Sequence, residues 1–279
     1  MPDKVSNYGG ISVVCPTYNS SAYIQRTIES LLLQKELPEE IIFSDDGSQD
    51  DTINIIENNR TYFEKHIITL KVIQNSHQGP GNARNIGITE SEQPWIAFLD
   101  ADDIWKTDKI SKVHKAIREN PASNCFLHWE EYVKMDGERH LLKHGFNNYN
   151  SALALLPQLY RANFLSTSAV VCKKQLVENG GGFDNTLPNA QDYELWLRIS
   201  PKMNLTIIPE ILGEYIEEST SITARPYYKR FWSEIRIAYR YRQYVNLSIF
   251  IKKIFRILIS KQWFYTFVNL FNNHQKHSN

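Results

Sequence analysis

Three carboxylates, Asp100, Asp102 and Asp103, directly follow the apolar run Trp95-Ile-Ala-Phe-Leu99. A run of that length and type predicts a buried β-strand, which delivers the acids to its C-terminal edge, where open α/β sheets bind ligands. Asp100 and Asp102, one residue apart in a tight turn, can face one hard cation and a sugar hydroxyl. Carboxylate oxygens suit Mg2+ or Mn2+, and those ions also hold substrate phosphates. A second acid of chemical interest is Asp192 in Gln191-Asp-Tyr-Glu-Leu-Trp-Leu-Arg198. It heads a segment in which Tyr193, Trp196, Leu197 and Ser200 share one helical face, and a carboxylate at a helix N-terminus is stabilised as the anion. Taken singly, each acid also reads as a helix cap or a solvated turn.

The elements that must position these groups alternate along the first half of the chain. Ile11 to Cys15 is a β-branched run ending at Pro16-Thr-Tyr-Asn19, with Ser20 or Ser21 placed to cap a helix to about Gln34. Ile41 to Ser44 ends at Asp45-Asp-Gly-Ser-Gln-Asp-Asp51, whose acids start a second helix. A third strand near Ile67 to Gln74 leads through Gln78-Gly-Pro-Gly-Asn82 to a helix from Ala83 to about Glu90. Short apolar strands without a polar face, alternating with helices, predict a parallel sheet covered on both sides. Four successive strand ends then bring Asn19, Asp45 with Asp46, Arg84 with Asn85, and Asp100 with Asp102 to one edge. Gly79-Pro-Gly81 lacks the G-x-G-x-x-G spacing of a dinucleotide fingerprint, which disfavours a nicotinamide enzyme.

Pro16-Thr-Tyr-Asn19, Asp45-Asp-Gly-Ser48 with Asp50, Gly79-Pro-Gly-Asn-Ala-Arg-Asn85 with Gly87, and Leu99-Asp-Ala-Asp-Asp103 resemble, in order and spacing, the successive motifs of the inverting family 2 glycosyltransferases. The resemblance covers roughly Ile11 to Tyr215. It implies the GT-A fold: an α/β, Rossmann-like, mostly parallel sheet flanked by helices. It also implies a nucleotide-sugar pocket formed by Pro16, Tyr18, Asn19, Asp45, Asp46, Arg84, Asn85, Asp100, Ala101 and Asp102. Within that pocket Tyr18 would stack on the base, Asp46 would accept from a uracil imide, and Arg84 would hold base or phosphates. Asp102, with Asp100, would hold Mn2+ or Mg2+. In the family the later segment is usually Glu-Asp before an aromatic-x-Leu-Trp helix, and its Asp is the general base. Gln191 replaces the Glu here, and Asp192 keeps the base position. Glu194, also acidic, is expected to face the helix exterior. The acceptor side would comprise Asp192 and Trp196, and the acceptor would be a saccharide or lipid-linked saccharide; His128, beside Trp129, reads as an acceptor contact or, in preference, as a packed histidine. Alternatives of other classes are a nucleotidyltransferase and a non-catalytic nucleotide-sugar-binding module.

Between these motifs, Lys106 to Glu119 reads as a helix whose lysines at 106, 109, 112 and 115 form a solvated face. Cys125 to Val133 reads as a strand turning at Asp136-Gly137 into a partner near His140 to Lys143, and Thr167 to Lys173 as another strand. Asn204 to Gly213 and the bend Glu217-Glu-Ser-Thr-Ser221 close the body, with Arg225 a candidate for phosphate contact.

Apolar content of 42% and charge of 22% fit a globular protein with a real core. Cys15, Cys125 and Cys172 lie far apart in apolar runs and read as buried thiols in a reducing compartment. The N-terminus lacks a signal-like apolar core and no uninterrupted apolar run reaches the length of a span, so a cytoplasmic protein is expected. The zero net charge hides a division: residues 1–224 carry 20 basic and 30 acidic side chains, residues 225–279 carry 11 basic and one acidic. This divides the chain into a catalytic domain, 1–224, with a nucleotide-sugar half to about 105 and an acceptor half beyond it, and a basic amphipathic helical tail, 225–279. The tail, with Trp263, Phe264, Phe267 and Phe271, suits the surface of an anionic membrane or a second copy of the chain. No nucleic-acid-binding pattern accompanies the charge, so no nucleic-acid partner is expected.

Overall fold

Strand β1 (Ile11–Thr17) runs parallel to β2 (Glu40–Asp45) on one side and to β4 (Trp95–Phe98) on the other, and β3 (Thr69–Gln74) extends the set beyond β2. The parallel register pairs Thr17 with Asp45 and Asp45 with Gln74, so the polar strand ends do meet at one edge. The computed structural model describes residues 9–145, 149–218 and 228–259. Arg225, the bend beyond Glu218 and the aromatic end of the tail, with Trp263, Phe264, Phe267 and Phe271, lie outside the described residues.

Crossovers between the parallel strands are helical: α1 (Ile24–Leu32), then α2 (Thr52–Asn58) with α3 (Arg60–Lys65), then α4 (Pro80–Glu90). After β4 come β5 (Ile104–Trp105), α5 (Lys109–Glu119) and the hairpin of β6 (Cys125–Val133) with β7 (Arg139–Leu142). There follow α6 (Leu155–Arg161), β8 (Val170–Lys173), α7 (Lys174–Glu178), α8 (Gln191–Ile199) and β9 (Leu205–Ile216). The described chain closes with α9 (Tyr228–Arg240) and α10 (Leu247–Leu258). Among the described residues the strands form one sheet in the order β3-β2-β1-β4-β8-β6-β9-β5, with β7 paired to β6. β8 is antiparallel to both its neighbours, β4 and β6, so the sheet is mixed but mostly parallel.

Alternation along the strands divides the core between the two faces of the sheet. Ile11, Val13 and Cys15 of β1 join α1 and α5 on one face, whereas Val14, with Ile96 and Phe98 of β4, joins α6 and α8 on the other. The three cysteines are free and buried, as their apolar neighbours predict. The β6–β9 ladder is broken between His128 and Glu130: Pro209 and Glu210 loop out of register where proline has no N–H to give. Ile237, Ala238, Tyr241, Ile249 and Ile257 belong to the same core cluster as Trp196 and Phe98. The described part of the tail is therefore packed on the body. No helix among the described residues is long and apolar enough to cross a membrane.

Lys109, expected on a solvated face of α5, is instead fully buried. Its Nζ donates to the Ser168 carbonyl at 2.6 Å and lies 3.6 Å from the Trp105 ring centroid. The aliphatic stem is covered by the core and the ammonium faces an aromatic surface, a pairing that charge spacing along one helix does not reveal.

Candidate active site

Leu99 still packs in the core, and the chain then turns through Asp100-Ala-Asp-Asp103. The turn is held from both sides. Thr27 of α1 donates to the carbonyls of Ala101, at 2.7 Å, and Asp103, at 3.0 Å, while Arg26 donates to the Asp102 carbonyl at 3.0 Å. From the other side Ser168 Oγ accepts from the Asp100 amide at 3.0 Å, and Asp103 Oδ1 accepts from the Ile216 amide at 3.1 Å. Arg26, Thr27 and Ser168 were not legible as site residues, because each reaches the turn from a distant element. Ala101 is thus a buried structural member of the turn.

Asp100 is half-buried and accepts from the guanidinium of Arg84, a buried residue on α4. Asp102 is half-buried, and its carboxyl is pushed up to about 6 by burial and by the charges of Asp100 and Glu218. Burial and the neighbouring acids Asp102 and Glu130 hold the Asp103 carboxyl well above its ordinary range. Among the described residues no group of three or more His, Cys, Asp or Glu side chains is placed to hold a metal ion. Asp100 and Asp102 nonetheless could hold a divalent cation that takes its remaining ligands from substrate and water, since two carboxylates one residue apart in this turn suit such an ion.

The nucleotide edge is built differently from expectation. Asp45 is buried and accepts from Thr17 Oγ1 at 2.8 Å and from the Gly47 and Ser48 amides at 3.1 and 2.8 Å, so it fastens the turn after β2. Asn19, at φ +47°, accepts from the Gln49 amide at 2.8 Å and ties the same two strand ends. Pro16, buried, stands just past the last residue pair between β1 and β4, where the lack of an N–H does no harm. Asp46 is buried too, and its two oxygens accept the Gln78 and Gly79 amides, each at 2.8 Å. Gly79 sits at φ +95°, a conformation only glycine adopts without strain, which is how its amide reaches Asp46. The carboxylate of Asp46 therefore builds the loop before α4. Tyr18 is exposed, with one ring face stacked on His77 at a centroid distance of 4.3 Å. His77 was not foreseen, since nothing in its spacing sets it beside Tyr18.

Asn85 is committed to structure: its side-chain amide donates to the Phe183 carbonyl at 2.9 Å and accepts the Phe183 amide at 2.7 Å, clamping α4 to the loop before α8. At the start of α8, Ala190 adopts φ +55°, a strained left-handed turn for a residue with a Cβ. Gln191 is buried, donates to the Leu187 carbonyl at 2.6 Å, and lies so close to Gly81 that a Cβ there would stand 2.8 Å from its side chain. The N-termini of α4 and α8 thus touch. Asp192 is half-buried, and its proton affinity is raised by burial first, then lowered by the Tyr193 amide and Arg84.

One cavity of about 610 Å3 is lined by Arg84, Asp100 and Asp192, together with His144, the Ala162–Thr167 segment, and Arg230, Glu234, Lys253 and Arg256 of the last two helices. A hollow of similar size, about 590 Å3, at the β6–β9 bulge brings together none of the expected site residues.

The rest of the acceptor side needs correction. Trp196 is fully buried, edge-on to Phe98 and Phe183, and is a core residue with no face toward a substrate. His128 is buried, bonded through Nδ1 to the Trp129 carbonyl at 2.7 Å, and held neutral as burial pushes its pKa well down. Glu194 does not face outward. It is 1% exposed and is met by Arg198, by Arg240 at 2.8 Å and by the Tyr241 hydroxyl at 2.8 Å. These cations hold its carboxyl below the ordinary range and tie α9 to α8, so Glu194 is no rival to Asp192.

The family model described as Glycosyl transferase family 2 matches residues 12–181. The UDP-Glc:alpha-D-GlcNAc-diphosphoundecaprenol beta-1,3-glucosyltransferase WfaP of Escherichia coli is 30% identical over 195 residues, 69% of this chain and 70% of that one. An uncharacterized glycosyltransferase of Rickettsia felis is 28% identical over 214 residues, 77% of this chain but 34% of that one. The chain spans about a third of the length of the first curated relatives it matches. In backbone it superimposes on Staphylococcus aureus TarS 1-349 in complex with UDP-GlcNAc with a TM-score of 0.66, at 21% identity, covering 82% of this chain and 65% of that one. With the mannosyltransferase PcManGT of Pyrobaculum calidifontis, in complex with GDP-Man and Mn2+, the TM-score is 0.65 at 16% identity, covering 91% and 71%.

Proposed function

Because the chain belongs to glycosyl transferase family 2 and carries the GT-A fold, we propose that it is an inverting enzyme using a UDP-linked sugar. In this reading it glycosylates a hydroxyl of a saccharide or lipid-linked saccharide in cell-surface polysaccharide synthesis. The observation that carries the reading is the shared cavity: Asp100 after β4 and Asp192 at the start of α8 line it together with Arg84, which feels the charge of both. The UDP and UDP-GlcNAc complexes of TarS, and the acceptor in the name of WfaP, support the donor and acceptor classes.

In this mechanism the base of the nucleotide stacks on the open face of Tyr18, whose other face is backed by His77. Asp192 accepts the proton of the acceptor hydroxyl as its oxygen bonds to the anomeric carbon, while the bond from that carbon to the donor phosphate breaks on the opposite side. One displacement inverts the configuration, and no covalent enzyme nucleophile is needed. Arg84 holds phosphate oxygens beside Asp100. Asp102 and Asp100 would hold a divalent cation, which would supply positive charge to the leaving diphosphate; the Mn2+ in the PcManGT complex supports that role. Outside the cleft, α10 exposes Leu247, Ile251, Phe255 and Leu258 beside Lys252, a stripe suited to the anionic surface of a membrane that presents a lipid-linked acceptor.

The test is Asp192→Asn. Donor binding by calorimetry is expected to stay within about twofold of wild type while transfer falls by roughly 10²–10⁴, the usual worth of a general base. Transfer at the wild-type rate would remove Asp192 from the mechanism. Asp102→Ala is expected to abolish the Mn2+-dependent part of donor binding.

A further inference from the structure

The last two helices bring cations, and very little anion, to the side of the cavity where Asp192 stands. Arg230 and Glu234 from α9, and Lys253 and Arg256 from α10, line it. Lys253 is the informative residue. It is 8% exposed, and its Nζ lies 4.7 Å from the ring centroid of Tyr193 and 5.9 Å from that of Tyr160. Among the described residues neither Lys253 nor Arg256 makes an ion pair or a side-chain hydrogen bond. An ammonium so removed from water, with no hydrogen-bonded counter-ion and Glu234 acting on it only at longer range against the like charge of Arg256, is favoured by a ligand that supplies negative charge.

The placement separates this cluster from the donor. Tyr193 directly follows Asp192, and Tyr160 belongs to α6, against which α10 packs, whereas the proposed mechanism assigns the donor phosphates to Arg84 and the β4 turn. A group resting on Lys253 and Arg256 is therefore on the acceptor side of the general base. Phosphate meets such a cluster well: it is doubly charged, offers several acceptor oxygens, and fits both a compact ammonium and a forked guanidinium.

We propose that Lys253 and Arg256 form a phosphate subsite, so that the acceptor is a glycosyl phosphate or diphosphate whose phosphoryl oxygens rest against α10 while its hydroxyl meets Asp192. This deepens the transferase reading and rests on it. The tail's positive charge then serves the interior of the cleft as well as its outer surface.

The test uses the full chain saturated with UDP and Mn2+, so that the donor half is filled. Inorganic phosphate and octyl phosphate are then titrated in separately by calorimetry. Saturable binding is expected for wild type, weakened about tenfold or more in Lys253→Met and in Arg256→Gln, with UDP affinity reporting that each variant is folded. Octyl phosphate binding more tightly than phosphate would assign the subsite to a lipid-linked acceptor, and equal binding to a soluble sugar phosphate. Phosphate binding unchanged in both variants, or absent from a wild-type protein that does bind UDP, overturns the subsite while leaving the donor reading intact. Failure of the wild type to bind UDP would instead count against the donor reading.

Discussion

Asp192 gains its chemical character from what surrounds it. Burial raises its pKa, the Tyr193 amide and Arg84 temper the rise, and the charge of Asp100 adds to it. A base works only when deprotonated, so a raised pKa moves the acid-side loss of activity upward. As pH is lowered, kcat/KM is expected to fall through a limb lying above the ordinary carboxylate value of about 4. A pH–rate profile whose acid limb sits at or below that value would contradict this environment. At the same scale, residue type and spacing picked out Asp100, Arg84 and Asp192, which line one cavity, and Asp102 in the adjoining turn, because strand ends of a parallel sheet share an edge. The same spacing could not separate a polar group turned to ligand from one turned to backbone. Asp45, Asn19 and Asn85 are all of the second kind, bonded to amides or carbonyls of other loops.

The charged residues that sequence misplaced are those whose partners lie on another element. Lys109 looked like one of a row of solvated lysines, yet it packs on Trp105 beneath the site. Burial lowers its pKa well below the ordinary value, so the ammonium is held at a cost. The Ser168 carbonyl it bonds also accepts from Trp105 Nε1 at 3.1 Å, so removing the lysine leaves that acceptor satisfied. Lys109→Met, similar in volume, is therefore expected to lie within about 1.5 kcal/mol of wild type or above it in urea unfolding, whereas Lys109→Ala leaves a cavity and loses about 2–5 kcal/mol. A loss of that larger size for the methionine variant would show that the charge itself holds α5. Glu194 illustrates the converse. Its partner Arg240 is 46 residues away in sequence, and helical periodicity alone put it on an outer face.

Across the whole molecule, the imbalance between an acidic body and a basic tail is partly resolved internally, since Arg240 binds Asp184 and Glu194. A sequence count of charges sees the asymmetry but not that closure. Among the described residues, α10 brings Lys253 and Arg256 to the cleft and turns an apolar stripe outward. Wild-type protein is accordingly expected to float with anionic vesicles in low salt and to be released by high salt. Ile251→Ser with Phe255→Ser should weaken that partition severalfold, and unchanged flotation would mean that this stripe does not meet the bilayer. The cleft wall made by α9 and α10 also has a consequence for biosynthesis. A ribosome delivers Asp100, Arg84 and Asp192 long before Lys253 and Arg256, so a nascent chain can fold its sheet and still lack one wall of the chamber. Competence for the proposed reaction then waits until α10 has been made and has settled beside Tyr193.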